Sequence, residues 1–302
     1  MTYIKVGSKN LYIEEYGKGN NRAIVIFHGG PGKSCRGFEN QATALSEKYH
    51  VICFDQCGAS RSDAIFEDEP FGMTEHIHQI DKMREILGIS SWTVMGHSYG
   101  GTLACLYAYT YPQSTDAVIY VGACWDYGMA ARAGVIHVMP YFHKINSEEG
   151  FKKCLEFINS NFETRKEAHD FFRTSIVPLV KDYREICFFH KSEEEIKNIP
   201  TRHFNSPPNP EDAVQKDYIH RQKIREGGEI YNDFYPYLNK TDKESLFIFG
   251  KYEPICVKEQ DCYLKNAPKG RIVEFNNSGH FPYIEEPQKF TETIIDFMDN
   301  LV

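Results

Sequence analysis

Ser98 lies in Gly96-His97-Ser98-Tyr99-Gly100-Gly101, a G-x-S-x-G arrangement that follows an apolar, strand-like run and opens into a small-residue helical pattern. A chain that turns so sharply from strand to helix holds its serine in a strained conformation, and glycines on either side remove the Cβ atoms that would clash. Such a turn raises the serine Oγ above a sheet. It also leaves the Tyr99 N–H at a helix start with no intrahelical acceptor, free to bond a developing oxyanion. The chemistry implied is nucleophilic attack on a carbonyl. That requires a base to take the serine proton and a carboxylate to fix the tautomer of the base and stabilise its positive charge.

Of the twelve histidines, His280 stands out as the base, because Asn277-Ser278-Gly279-His280-Phe281-Pro282 forms a loop between the last strand pattern and the last helical pattern. His76 and His78 stand two apart in a helical stretch and read as surface residues, while His97 lies inside the turn and reads as its support. For the carboxylate, Glu253 in Gly250-Lys251-Tyr252-Glu253-Pro254 follows the strand pattern 245–249 and is the preferred candidate. Asp126, just beyond the strand pattern 117–121, is a rival, and Asp261 reads as an exposed helix residue.

Two further motifs follow strand ends, where open α/β sheets carry their chemistry. His28-Gly29-Gly30-Pro31-Gly32 combines glycines that admit close backbone approach with a stiffening proline, and the Gly30 N–H is the natural second oxyanion donor. In Asp55-Gln56-Cys57-Gly58-Ala59-Ser60-Arg61-Ser62 a structural reading prevails. Asp55 and Arg61 tie the loop beside His28, and Cys57 packs rather than reacts.

The elements that must position these residues are strand patterns at 11–16, 22–28, 49–55, 91–95, 117–121, 245–249 and 271–275, several continuously apolar, with helical patterns at 37–48, 74–87, 99–110, 258–266 and 287–301. Alternation of this kind predicts an α/β fold: a mostly parallel eight-stranded sheet flanked by helices, with an antiparallel hairpin at the opening edge and 11–16 half-exposed. From 125 to 242 strand patterns vanish in favour of charged and aromatic helical stretches. That segment reads as an inserted helical cap on a core of 1–124 and 243–302, with a proline-rich loop at Asn205-Ser206-Pro207-Pro208-Asn209-Pro210. The Glu193-Glu194-Glu195 run reads as a solvated helix face.

A net charge of −8 and a pI near 5.9, with no dense Lys/Arg cluster, argue against a nucleic-acid partner. Nine scattered cysteines without a C-x-x-C pair argue against zinc or a disulfide framework. Met1-Thr2-Tyr3-Ile4-Lys5-Val6 does not resemble a signal peptide, and no apolar run is long enough for a membrane span, so the expected compartment is the cytoplasm.

Together these motifs resemble the α/β-hydrolase fold, and within it the proline iminopeptidases (prolyl aminopeptidases) and their tricorn-interacting relatives. His28–Gly32 is similar to that family's H-G-G-P-G, 55–62 to its D-Q-R-G-x-G-R-S, Ser98 stands in its G-x-S-[WY]-G, and Gly279-His280 with Glu285-Glu286-Pro287 resembles its G-H-x-x-x-x-E-x-P. Cys57 stands where the family usually has arginine, and Glu253 where aspartate is common. The resemblance implies a cofactor-free, metal-free serine peptidase with a Ser98-His280-Glu253 triad, acting on a small molecule or short peptide to release an N-terminal proline or small apolar residue. It also implies cap carboxylates that pair with the substrate's free amine, for which Glu226 and Glu229 are the candidates. A carboxylesterase or lactonase with the same triad is the alternative, and a ligand-binding receptor on a hydrolase scaffold is disfavoured by the intact catalytic set.

Overall fold

The computed structural model describes residues 2–188, 190–199, 210–255 and 259–301. Its sheet has eight strands: β1 (Thr2–Val6), β2 (Lys9–Tyr16), β3 (Ala23–Phe27), β4 (His50–Phe54), β5 (Trp92–His97), β6 (Thr115–Val121), β7 (Ser245–Gly250) and β8 (Gly270–Phe275). They are arranged β1-β2-β4-β3-β5-β6-β7-β8, with β1/β2 and β2/β4 antiparallel and every pair from β4 to β8 parallel. β3, β4 and β5 are buried along their whole length, as apolar strands must be when helices cover both faces. Side-chain alternation divides the apolar residues between two cores: Val25 and Phe27 enter one, Ile24 and Ile26 the other.

The opening hairpin is present, but β2 is more buried than its composition suggests. It pairs with β1 on one side and β4 on the other, so it is an interior strand. Between β6 and β7 the described residues form helices and no strand, among them Tyr127–Lys144, Glu148–Asn159, Arg165–Phe171 and Pro210–Glu226. The first three share an apolar cluster of their own around Val135, Phe142 and Phe157, whereas Ile224 of Pro210–Glu226 joins one of the two cores of the sheet. Of the proline-rich loop, 205–209 lies outside the described residues, as does Cys256. The acidic run at 193–195 is exposed in the helix Glu193–Asn198, where Glu195 completes a capping box with Ser192.

The strand order reverses between β3 and β5, which opens a crevice at the carboxyl ends of the parallel strands. A buried polar network braces one wall of it. Arg61 Nε donates to Asp55 Oδ2 at 2.6 Å and Nη1 to Glu14 Oε1 at 2.8 Å, and the guanidinium lies 3.7 Å from the Tyr12 ring centroid. Asp55 Oδ1 also accepts from Ser34 Oγ and the Cys35 N–H, each at 2.9 Å. Burial alone would raise the Asp55 carboxyl, but hydrogen bonds and charge from Arg61 outweigh it and hold the group at about 2. Nearby, His28 Nδ1–H donates to the Gly29 carbonyl (2.9 Å) and Nε2 accepts from the Gln56 N–H (3.0 Å), locking one neutral tautomer.

Removing one partner of a buried ion pair strands the other, at about 3–5 kcal/mol. Arg61→Met is therefore expected to lower the urea-unfolding free energy by about that much near neutral pH. Because the depressed Asp55 value contributes stability above the ordinary 3.8 and loses it as pH falls toward about 2, the deficit of the variant should shrink over that window. A deficit below about 1 kcal/mol, or one independent of pH, would show that the network is not supporting the fold.

Candidate active site

β5 ends at His97 and the next helix, Tyr99–Thr110, starts one residue beyond Ser98. Ser98 adopts φ 54°, ψ −122°, a conformation that costs an L-residue roughly 1–3 kcal/mol. The turn is tight enough that a Cβ on Gly96 would sit 2.1 Å from the Gly100 carbonyl oxygen, and one on Gly100 would sit 2.1 Å from the Phe27 carbonyl oxygen. Larger residues are thereby excluded from both positions.

Three strand ends converge on this serine. His280 Nε2 lies 3.1 Å from Ser98 Oγ, and His280 Nδ1 lies 2.8 and 3.0 Å from the two Glu253 carboxylate oxygens. Glu253 and His280 are almost fully buried. Glu253 is fixed by the turn after β7, where its N–H donates to the Gly250 carbonyl and Oε1 accepts from the Ile255 N–H. Gly122, after β6, lies against this pair at φ 50°, and a Cβ there would be 3.0 Å from Glu253 Oε2 and 3.2 Å from His280 Nδ1.

The loop carrying His280 is held from behind. His97 Nε2–H donates to the His280 carbonyl at 2.9 Å, tying the strand-to-helix elbow at Ser98 to that loop, and burial lowers the His97 ring well below the usual histidine range. Glu285 Oε1 accepts from the N–H groups of Gly279 (2.8 Å) and Phe281 (3.3 Å), bracketing His280, and Glu286 Oε2 accepts from Ser278 Oγ at 2.6 Å. The two glutamates of the closing motif thus position the histidine loop, a role that motif spacing alone does not reveal. On the opposite side the Gly29–Gly30 turn abuts the elbow, since a Cβ on Gly29 would come within 3.2 Å of Ser98 Cβ.

The remaining candidates separate cleanly. Asp126 caps the helix Tyr127–Lys144 through the Met129 N–H and pairs with Arg165 at 2.8 Å, so both its oxygens are engaged away from His280. His78 is exposed, but His76 is buried beside Phe71 and His220, contrary to the surface reading of both. It lies on the face of Met73–Ile86 that packs inward with Met73, Ile77 and Ile80. Cys57 is buried, and burial pushes its thiol up to about 11.

A cavity of about 750 Å³ opens over Ser98 and His280. Its floor comes from the Gly29–Pro31 turn and the elbow, and its apolar walls include Tyr127, Val138, Phe172 and Ile186. Neither Glu226 nor Glu229 lines it. Glu226 is exposed at the end of its helix, and the Glu229 carboxylate accepts from the N–H groups of Met73 (2.6 Å) and Thr74 (3.1 Å) and from Thr74 Oγ1. Glu229 therefore caps the helix Met73–Ile86, whose own N-cap residue, Gly72, has no side chain to do so. The structure does not bring the two glutamates to the cavity as an anionic pair.

A family model described as alpha/beta hydrolase fold matches residues 22–287. A proline iminopeptidase from Heyndrickxia coagulans is 23% identical over 289 residues, covering 94% of this chain and 92% of the relative. Another from Saccharolobus solfataricus is 26% identical over 305 residues, covering 99% and 92%. Among solved structures, a proline iminopeptidase-related protein from Thermus thermophilus superposes with a TM-score of 0.76 at 18% identity, over 100% of this chain and 97% of that one. Among the described residues no helix is long and apolar enough to cross a membrane.

If Glu229 serves as the missing helix cap, Glu229→Ala should lower the unfolding free energy by about 1–2 kcal/mol. Glu226→Ala should change it by less than about 0.5 kcal/mol. Chemical denaturation of both variants checks this. Equal and negligible effects would contradict the capping role.

Proposed function

Because the chain belongs to the α/β-hydrolase fold family, we propose that it is a serine hydrolase that transfers an acyl group to water through a covalent acyl-Ser98 intermediate. The observation that carries the reading is the alignment of Ser98 Oγ, His280 and Glu253 through contacts of 3.1 and 2.8 Å. In the proposed sequence, His280 Nε2 takes the Ser98 proton as Oγ attacks the substrate carbonyl. The Tyr99 and Gly30 N–H groups hold the oxyanion, and Glu253 keeps the proton on Nδ1 and stabilises the imidazolium. His280 then protonates the leaving group as its bond to the acyl carbon breaks. Water, deprotonated by the same nitrogen, releases the acid and restores Ser98. The helical stretch 125–242 acts as a cap that encloses the substrate over this centre.

Ester or lactone hydrolysis is the specific reading the cavity favours. Among the described residues lining it, Asp182 carries the sole carboxylate, and it is held by Arg184 at 2.6 Å. A desolvated substrate ammonium would have no free carboxylate to pair with. Release of an N-terminal proline or small apolar residue is the second reading, supported by the name of the curated relatives.

Ser98→Ala is expected to abolish hydrolysis of a short-chain nitrophenyl ester with the unfolding midpoint unchanged, and residual turnover above a few per cent would reject Ser98 as the nucleophile. Glu253→Gln should lower kcat by as much as ~10⁴ by favouring the wrong histidine tautomer, whereas Asp126→Asn should act on stability. The reverse ranking would move the acid to the end of β6. On one preparation, neutral nitrophenyl esters should be hydrolysed faster than proline arylamide. An arylamide that is cleaved faster, and is protected by N-acetylation, would favour the aminopeptidase reading.

A further inference from the structure

The charge of the cavity is opposite to what an amine would require. Among the described residues Lys33, Arg173, Arg184, Arg221 and Arg225 line it, against the single carboxylate of Asp182, which Arg184 already occupies. Apart from Arg184, these cations come from three separate places. Lys33 follows the turn that abuts the elbow, Arg173 lies in the helical segment Phe172–Ile176, and Arg221 and Arg225 stand four apart on Pro210–Glu226, so they share one helix face.

Asp217 stands 3.8 Å from Lys33 Nζ, and Arg221 Nε donates to the Asp217 carbonyl at 3.1 Å. Among the described residues, no ion pair holds Arg221 or Arg225. Burial shifts two side chains here, and the neighbouring cations add to it. Lys33 is lowered from its ordinary value chiefly by the protein around it, with Asp217 opposing and Arg221 and Arg173 reinforcing the shift. His169, also on the cavity wall, is held near 3 by burial, with Arg173 and Arg225 adding to the effect, and among the described residues its Nδ1 has no hydrogen-bond partner. Like charges gathered in an enclosed space cost free energy, and an anion seated among them removes that cost. Guanidinium groups present planar donor pairs that match carboxylate and phosphate oxygens.

We propose that the cavity takes an ester whose acyl or leaving part carries an oxyanion group, a carboxylate or a phosphate, recognised by Arg221, Arg225 and Lys33. The proposal deepens the hydrolase reading and rests on it, since it names the substrate class for acylation of Ser98. The apolar wall of Tyr127, Val138 and Phe172 would carry the chain between the reacting carbonyl and the anion. Hydrolysis of such an ester breaks one C–O bond and consumes one water.

The test compares 4-nitrophenyl hemiesters of adipic and suberic acids with their methyl-capped counterparts and with an ω-amino acid 4-nitrophenyl ester of matched length. The free-carboxylate substrate of better-fitting length is expected to exceed its methyl ester in kcat/KM by about tenfold or more, equivalent to one charge-assisted contact. The amino ester should be the poorest. The ratio of hemiester to methyl ester should fall several-fold in Arg225→Gln, recover in part in Arg225→Lys, and fall in wild type on adding about 0.5 M sodium chloride. Arg221→Gln and the salt series carry the same test if Arg225→Gln does not fold. Equal rates for hemiester and methyl ester, or preference for the amino ester, would overturn the proposal.

Calorimetric titration of Ser98→Ala with suberate and with inorganic phosphate separates the two anion sources and does not depend on turnover. Tighter suberate identifies a carboxylate, tighter phosphate a phosphate, and binding of neither overturns the site. Suberate binding without hydrolysis of any ester by the wild type would retain the anion site and reject the hydrolase reading. Ester hydrolysis without anion preference or binding would do the reverse.

Discussion

The conformation of Ser98 constrains more of this molecule than any other single feature, because a residue at φ 54°, ψ −122° must be held there by everything around it. The strain is tolerated because Gly96, Gly100 and Phe27 close on one another at distances no side chain would allow, joining the ends of β3 and β5 to the start of a helix. The helix then packs on β3, β5 and β6, and burial of residues such as Leu103, Ala104 and Tyr107 offsets the local cost. The elbow lies where the strand order reverses, at the carboxyl ends of the parallel strands.

Around that fixed point the site is built from loops that are rigid for identifiable reasons. The His280 loop is bracketed by Glu285 and tied to the elbow through His97, while the turn beside it is braced by the Asp55–Arg61–Glu14 network. Catalytic geometry needs this second layer, because a misplacement on the order of 1 Å can cost ~10² in rate. The Asp55–Arg61 pair in this layer is charged and buried, which makes it costly to disrupt, and its contribution is lost in acid as Asp55 takes up a proton.

Much of this was legible in the sequence, because the residues concerned sit beside local signals. Glycine spacing marks the elbow, an apolar run marks each strand before it, and a polar residue just beyond marks His280 and Glu253. What the sequence hid depends on distant partners. Glu229 meets the helix start at Met73 across 156 residues, so an apparent cap carboxylate becomes a helix cap. His76 sits on an inward helix face that a two-residue spacing with His78 obscured. The edge-like pattern of 11–16 concealed an interior strand, since antiparallel partners on both sides bury it regardless of its charged residues. The cationic cavity was invisible for the same reason: Lys33, Arg173, Arg221 and Arg225 are unremarkable in the chain and acquire meaning only when three segments face one space.

The central claim is that Ser98 becomes acylated. Acid quench of wild-type protein in the first turnovers of a nitrophenyl ester, followed by peptide mass spectrometry, tests it most directly. The account predicts a mass increase equal to the acyl group on the peptide containing Ser98, formed as the first nitrophenolate is released and lost as the acid product accumulates. Turnover with no adduct on that peptide, or an adduct on the peptide carrying Cys57, would contradict it.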